Sequence, residues 1–298
     1  MIDAVDRKME QFIEELEDSN ALALYKKLPQ GKKLRTKLIF KIAGESSEAI
    51  DVASAIEMIH LASLLHDDVI DNATTRRGKI SVNASDGNKS AIMLGDILYS
   101  KAFYELTDMS PQIAKIISNA VVLLSLGELA DVKLSSKFHT NKEAYLKMLY
   151  QKTASLMEAS AEVGAILANK NRDAFREYGK NLGIAFQMID DILDITADSK
   201  TLGKPALHDF MEGKVTLPYI YLYESLDESE REYLKSLHKK ELNESEALWI
   251  KSKMREKQII KRAYTEAKSL VQKAIELMDS VGEEDLGDIA KAMIEREF

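Results

Sequence analysis

Apolar residues recur at helical spacing along most of this chain, and that periodicity confines the fold to packed helices. Met9, Phe12, Ile13 and Leu16 mark one apolar face, and the same three-and-four spacing runs through residues 34 to 43, 48 to 66, 90 to 106, 111 to 134, 142 to 169, 171 to 194 and 214 to 225. Breaks fall where turn formers gather: "PQGKK" at 29 to 33, "NATTRRG" at 72 to 78, "NASDGN" at 83 to 88 and "TADSKTLGKPALHDFMEGK" at 196 to 214. With 4 Pro and 13 Gly in 298 residues, the chain has too little turn chemistry for many short strands. We expect an all-α fold. No Gly/Ser-rich or Pro-rich linker divides it, so residues 1–298 read as one single-domain helical bundle. Residues 224 to 262 are more charged and suit peripheral helices, before a final amphipathic helix running to about residue 280.

Composition removes several function classes. There is no cysteine, which excludes disulfides, thiolate zinc sites and cysteine nucleophiles and leaves any metal to oxygen or His ligands. The net charge of -8, with both signs interspersed, argues against a broad nucleic-acid surface. The amino terminus, "MIDAVDRKMEQFIEELEDS", lacks the basic start and apolar run of a signal peptide, and no window approaches an uninterrupted apolar run of membrane-spanning length. The expected compartment is the cytoplasm, with no transmembrane segment.

The informative stretch is "LASLLHDDVIDNATTRRG", residues 61 to 78, where acids are set into an apolar helical face. Asp67 and Asp71 are four apart and project from one side, while Asp68 points roughly a quarter-turn away. "QMIDDILD" at 187 to 194 repeats the pattern with Asp190, Asp191 and Asp194. Carboxylates crowded on an apolar face repel one another, and a divalent cation relieves both the repulsion and the lost hydration. Hard oxygen ligands favour Mg²⁺, which binds one or two carboxylates together with substrate phosphates. A single such motif is more often a solvated helix face; two on apolar helices favour a metal.

Basic residues supply a complement. Lys32 and Arg35 stand at a helix start in "QGKKLRT", Arg76 and Arg77 follow the first acidic motif, and Lys152 with Thr153 opens "KTASLM" in an apolar helix. Lys204 and Lys214 lie beyond the second motif, and neither "LGKP" nor "EGKVT" has P-loop glycine spacing. Acids for metal and scattered cations together describe a diphosphate site.

In order, "GKKLR", "HLASLLHDDVIDNATTRRG", "AIMLGDILYSKAF", "KTASLM" and "GIAFQMIDDILDITADSKTLGKPALHDFMEGKVTLP" resemble the trans-type polyprenyl diphosphate synthases over nearly the full chain. The resemblance implies one all-helical domain around a deep central cavity, paired as a homodimer. It implies that Asp67, Asp71 and Asp190 hold a trio of Mg²⁺ ions on an allylic diphosphate, supported by Asp68, Asp191 and Asp194. Arg76, Lys152 and Lys204 add charge to that diphosphate, and Lys214 lies near it; Lys32, Arg35, His60 and Arg77 clamp isopentenyl diphosphate. His60 has a rival role as a core histidine, since a lone His on an apolar helix is often just that. Thr153 and Gln187 turn oxygen dipoles toward the allylic cation. Gln30, Lys33, Thr36 and Asn83, where the family has other residues, touch the edge of the isopentenyl site, and Glu128 stands where a Gln is usual.

The tail of the growing product is expected to pass along the helix below Asp67. Ala62 and Ser63, five and four residues before it, are small where short-chain members often carry an aromatic. Each helical turn left open adds about 5.4 Å, close to one isoprene unit. Met58 and Ile59 lie a turn deeper, and Leu123, Leu124 and Leu126 serve either as shaft wall or as plain core. A medium or long product of octaprenyl type for quinone side chains follows, with a brief membrane contact for its release. Alternatives are a short-chain (farnesyl or geranylgeranyl) synthase, a class I terpene cyclase, whose second metal motif is usually mixed, and a non-catalytic regulatory subunit, which tends to lose an acidic motif.

Overall fold

The computed structural model describes residues 2–196 and 206–294. Helices dominate as the periodicity requires: α1 (Ile2–Glu14), α2 (Ser19–Lys27), α3 (Leu34–Ala43), α4 (Ser47–Ile70), α5 (Val82–Asp86), α6 (Asn88–Leu106), α7 (Pro111–Leu134), α8 (Lys142–Leu149), α9 (Ser155–Leu167) and α10 (Arg172–Thr196). Further along the chain come α11 (His208–Met211), α12 (Leu217–Ser225), α13 (Glu228–Leu237), α14 (Glu244–Glu256), α15 (Ile259–Ser280) and α16 (Asp285–Ile294). By compactness the chain divides into two units, one of residues 1–122 with 156–176 and the other of 123–155 with 177–298.

In the first unit α4 packs on α1, α3 and α6. It is apolar nearly all round, as a core helix must be, with Val52, Ala53, Ile56, Met58, Ile59 and Ala62 wholly buried. Ser46 caps its start by accepting from the Ala49 N–H at 3.1 Å. Gly95 of α6 admits the His66 ring of α4: a Cβ there would fall 2.3 Å from Nε2. That nitrogen lies 3.2 Å from the Ile92 carbonyl and 3.4 Å from Asp96, and the ring tilts on Tyr99 at 5.7 Å.

The second unit is built on α8, α10, α12 and α15. Tyr145, Tyr178 and Tyr219 are buried there, and Phe210 stacks on Tyr219 at 4.3 Å. The Tyr178 hydroxyl donates to the Leu286 carbonyl at 2.9 Å, tying α16 to α10. Gly213 has φ +100° and a Cβ there would lie 2.5 Å from the Ser135 carbonyl oxygen, so no other residue fits that turn. Asp227 with Glu230 and Asn243 with Glu246 form capping boxes that start α13 and α14.

Three expectations change. The helix expected over 142 to 169 is interrupted by a π-helical turn at Tyr150–Ala154, which apolar spacing does not reveal. The segment that spans the two loops expected at 72 to 78 and 83 to 88 holds a β-hairpin, with β1 (Thr75–Arg76) paired antiparallel to β2 (Lys79–Ile80), and then the short helix α5. Ser47–Ile70 and Pro111–Leu134 are each long and apolar enough to cross a bilayer by length and composition. Neither helix holds an uninterrupted apolar run of that length, but Ile, Leu, Val and Ala between a few charged and polar residues keep the average hydropathy high. The most apolar window of α4 is 61% buried and that of α7 is 28% buried.

Candidate active site

In the first unit the acidic motif closes α4. Asp67 and Asp71 are partly buried, and the Asp71 N–H donates to the Asp67 carbonyl at 2.8 Å, which carries the helical turn through both. Asp68 is buried, and one oxygen of its carboxylate accepts from Arg76 Nε at 2.8 Å and Nη2 at 2.5 Å. Burial pushes the Asp68 carboxyl up, against the pull of Arg76. In this structure Asp68 holds Arg76 in place. Asn83 bonds the carbonyls of Asp68 and Ala73 at 3.0 and 2.9 Å, so this departure from the family residue fastens the loop after the motif.

The hairpin explains how Arg77 is aimed. Arg76 pairs with Lys79, leaving Arg77 and Gly78 as a two-residue turn with φ of 52° and 75°. Positive φ at both positions suits a tight hairpin, and Gly supplies it at one of them; at Arg77 it costs about 1–3 kcal/mol, a strain typical of functional positions. The guanidinium reaches the Pro29 carbonyl at 3.4 Å and fills the space a Gly31 Cβ would occupy, 2.5 Å from Nη1.

His60, Arg35 and Arg76 lie close enough to it to interact. Burial, then the nearby charges of Arg35, Arg77 and Arg76, hold the His60 imidazole well below its usual range, so it is neutral near pH 7. Arg35 is likewise pushed down by burial, with Arg77 adding to the push and Glu57 opposing it. Its Nε is buried without a hydrogen-bond partner. Glu57, itself buried, accepts from the Thr36 hydroxyl at 2.8 Å. Three guanidiniums and an imidazole thus share a region with two buried carboxylates, an imbalance that favours an anion. The recess beside Arg76, Arg77, Pro29 and Leu61 measures about 20 Å³, room for about one water. Lys32 and Gln30 are exposed, and Lys33 is buried and ion-paired with Asp6.

In the second unit the hydrogen bonds form a chain. The Thr153 hydroxyl donates to Gln187 Oε1 at 3.0 Å, Gln187 Nε2 donates to Asp191 at 3.0 Å, and the Tyr145 hydroxyl donates to the other Asp191 oxygen at 2.5 Å. Asp191 is pushed up to about 8, chiefly by burial and then by the charge of Asp209. Asp194 is buried and accepts from the Asp209 N–H at 3.2 Å, pinning α11 to α10; Asp190 is partly buried. Lys152, in the π-helical turn, pairs with Glu128 at 2.8 Å and Asp131 at 2.6 Å. Gly127 makes this possible, since a Cβ there would sit 2.3 Å from the Lys152 backbone nitrogen. Lys214 pairs with Glu212 at 2.9 Å, and Lys204 lies outside the described residues.

Asp131, Glu57 and Tyr145 belong to these networks and were missed from the sequence. Glu128 and Asp131, three apart on apolar α7, carried the same signal as the recognised acids; a Tyr in a helix looks like core. Among the described residues no three Asp, Glu or His side chains converge as a ready-made metal site. The donor set still fits Mg²⁺, which asks the protein for one or two carboxylates, as Asp67 and Asp71 offer, and takes its other ligands from phosphate and water. Of the chain-length residues, Met58, Ile59 and Ala62 are wholly buried, whereas Ser63 is partly buried and donates to the His60 carbonyl at 2.8 Å. Leu124 is core, but Leu126 stands 47% exposed.

Comparison with solved structures defines the class. The chain superposes on octaprenyl pyrophosphate synthase from Helicobacter pylori with a TM-score of 0.94 and 42% identity, covering 99% of this chain and 98% of that one. This is the all-α fold of the isoprenyl diphosphate synthases. A sequence profile described as Polyprenyl synthetase matches residues 19–254, and the chain belongs to that family. It is 40% identical to a short chain isoprenyl diphosphate synthase of Methanocaldococcus jannaschii over 63% of its own length, and 36% identical to the octaprenyl diphosphate synthase of Escherichia coli over 72%. The matched stretches span 59% and 68% of those two relatives.

Proposed function

We propose that the chain is a trans-prenyltransferase that condenses isopentenyl diphosphate head-to-tail onto an allylic diphosphate, giving a medium- or long-chain polyprenyl diphosphate. The observation that carries this is the cluster of Arg35, Arg76 and Arg77 around neutral His60, beside the helix that ends in Asp67 and Asp71, in a chain that follows an octaprenyl pyrophosphate synthase over 99% of its length.

Arg35 and Arg77, with Lys32 and neutral His60, bind the isopentenyl diphosphate and hold its double bond in place. Asp67, Asp71 and Asp190 are the carboxylates that would hold Mg²⁺, with Asp194 anchoring the segment that follows the second motif. The chemistry such an ion would supply there is neutralisation of charge on the allylic diphosphate as a leaving group. Thr153 and Gln187 fix their oxygen dipoles through the bonds to Asp191 and Tyr145, and they stabilise positive charge on the allylic carbons without being nucleophilic enough to trap it. The isopentenyl double bond attacks the allylic carbon, the allylic carbon–oxygen bond breaks, and the released diphosphate takes the proton lost from the new chain.

Ser63 is the gate on product length, since it is small and less enclosed than Ala62. The exposed apolar residues of α7, Val122, Leu126, Leu129 and Val132, suit a second copy of the chain in a homodimer. Incubation with Mg²⁺, isopentenyl diphosphate and farnesyl diphosphate should yield a ladder of longer prenyl diphosphates. Absence of elongation would overturn the proposal, and cyclic hydrocarbons would replace it with a cyclase. The short-chain alternative is favoured by the Methanocaldococcus relative and is recognised by products that stop at geranylgeranyl length.

A further inference from the structure

Lys152 carries more counter-charge than it needs. Asp131 alone would balance its ammonium at 2.6 Å, yet Glu128 lies on the same group at 2.8 Å, and the three side chains are only 20%, 9% and 15% exposed. Two carboxylates thus compete for one ammonium where a diphosphate is to be received. The placement is enforced by main chain: Gly127 lies against the Lys152 nitrogen, and Glu128 and Asp131, three apart on α7, both reach the π-helical turn.

We propose that Glu128 is a positioning residue that loosens the grip of Lys152 on the allylic diphosphate by competing for its ammonium. This rests on the reading that Lys152 meets that diphosphate. An anion approaching Lys152 must draw the ammonium away from two short ion pairs, and Glu128 contributes the pair that a neutral Gln would not. The effect of one full charge a few ångströms away at partial burial is about tenfold in affinity. A looser grip also speeds loss of the pyrophosphate product, so Glu128 exchanges affinity for turnover.

The test measures binding of a thiolodiphosphate analogue of the allylic substrate, which does not ionise, by calorimetry in Mg²⁺, alongside KM for each substrate. Glu128→Gln should bind the analogue about tenfold more tightly and lower KM for the allylic substrate, leaving KM for isopentenyl diphosphate unchanged. Glu128→Asp, which keeps the charge, should bind like the unaltered protein. Lys152→Gln should weaken binding, and in that background Glu128→Gln should change it by less than about twofold. The inference is overturned if Glu128→Gln fails to tighten binding while Lys152→Gln weakens it. It is also overturned if Glu128→Asp behaves like Glu128→Gln, or if the gain persists without Lys152, which would mean direct repulsion of the anion. If Lys152→Gln leaves binding unchanged, the underlying assignment of Lys152 falls first. Gln is isosteric with Glu and Asp is one methylene shorter with the same charge, and matching circular dichroism and melting confirm that each folds.

Discussion

Substituting Gly127 by Ala probes the contact on which the Lys152 arrangement depends. The new Cβ would stand 2.3 Å from the Lys152 nitrogen, 2.7 Å from its Cα and 2.7 Å from the Gln151 carbonyl carbon. Heavy atoms settle at about 3.5 Å or more, so α7 and the π-helical turn must part by roughly 1 Å. These three neighbours are all backbone atoms, which cannot swing aside as a flexible side chain would. Overpacking of this kind costs about 1–3 kcal/mol, and a backbone-to-backbone clash belongs at the upper end. At roughly 1.5–2 °C per kcal/mol for a chain of this size, the melting temperature should fall by about 5 °C. The same displacement stretches the ion pairs at 2.8 and 2.6 Å and moves Lys152, so KM for the allylic diphosphate should change as well. Gly282→Ala is the control: Gly282 has φ +77° and nothing within 4 Å of an added Cβ, so it should cost only about 1–2 kcal/mol of backbone strain and leave the kinetics alone. Calorimetry and steady-state rates on both variants decide. A Gly127→Ala protein that melts within a degree of the unaltered one, with the same allylic KM, refutes the close-approach argument.

Other consequences are open to direct measurement. Asp71→Asn, which removes a carboxylate from the first motif without changing its shape, should lower kcat by about 10²-fold or more with little effect on folding, as read by single-turnover rates and melting. The depressed His60 means that the unfolded chain binds a proton the folded chain refuses once pH falls below about 6.5, so the contribution of His60 to stability should decline from pH 7 toward pH 5.5, against the opposite trend of Asp191, whose raised carboxyl holds a proton in the fold that the unfolded chain releases. His60→Asn should flatten that decline in a series of melts, and an unchanged slope would show that His60 is not buried among the arginines. Tyr145→Phe takes a donor from buried Asp191 and should cost about 1–3 kcal/mol in urea denaturation. Ser63→Phe should shorten the products by closing the gate, and chromatography showing an unchanged ladder would move the tail elsewhere.

The helical fold was legible because apolar spacing has the same cause in sequence and structure: α3 and α7 occupy the ranges that the period assigns, 34 to 43 and 111 to 134. The acids and cations were legible for a related reason, since charges on apolar helices need partners, and Arg35, His60, Arg76 and Arg77 do lie close enough to influence one another. The π-helical turn was not, because one extra residue per turn leaves no mark on so short a stretch. Nor was the hairpin: its strands are two residues each, too short for alternation to register, and its turn uses an Arg where φ is positive. The roles of Asp68 and Asp191 needed coordinates, since spacing tells which way a carboxylate points but not that Arg76 or Tyr145 waits there. Thr36 and Asn83, seen only as departures from a pattern, turned out to bond Glu57 and the loop after Asp68.

Crowding Arg35, Arg76 and Arg77 about a neutral histidine has a price for the unliganded protein, which must fold against its own repulsion. A bound anion cancels that repulsion, so the loaded protein is the sturdier form and heat resistance rises with cargo. Swapping one of these arginines for an uncharged residue of similar size would harden the resting molecule while disarming it, the trade that sites built to hold opposite charge commonly make.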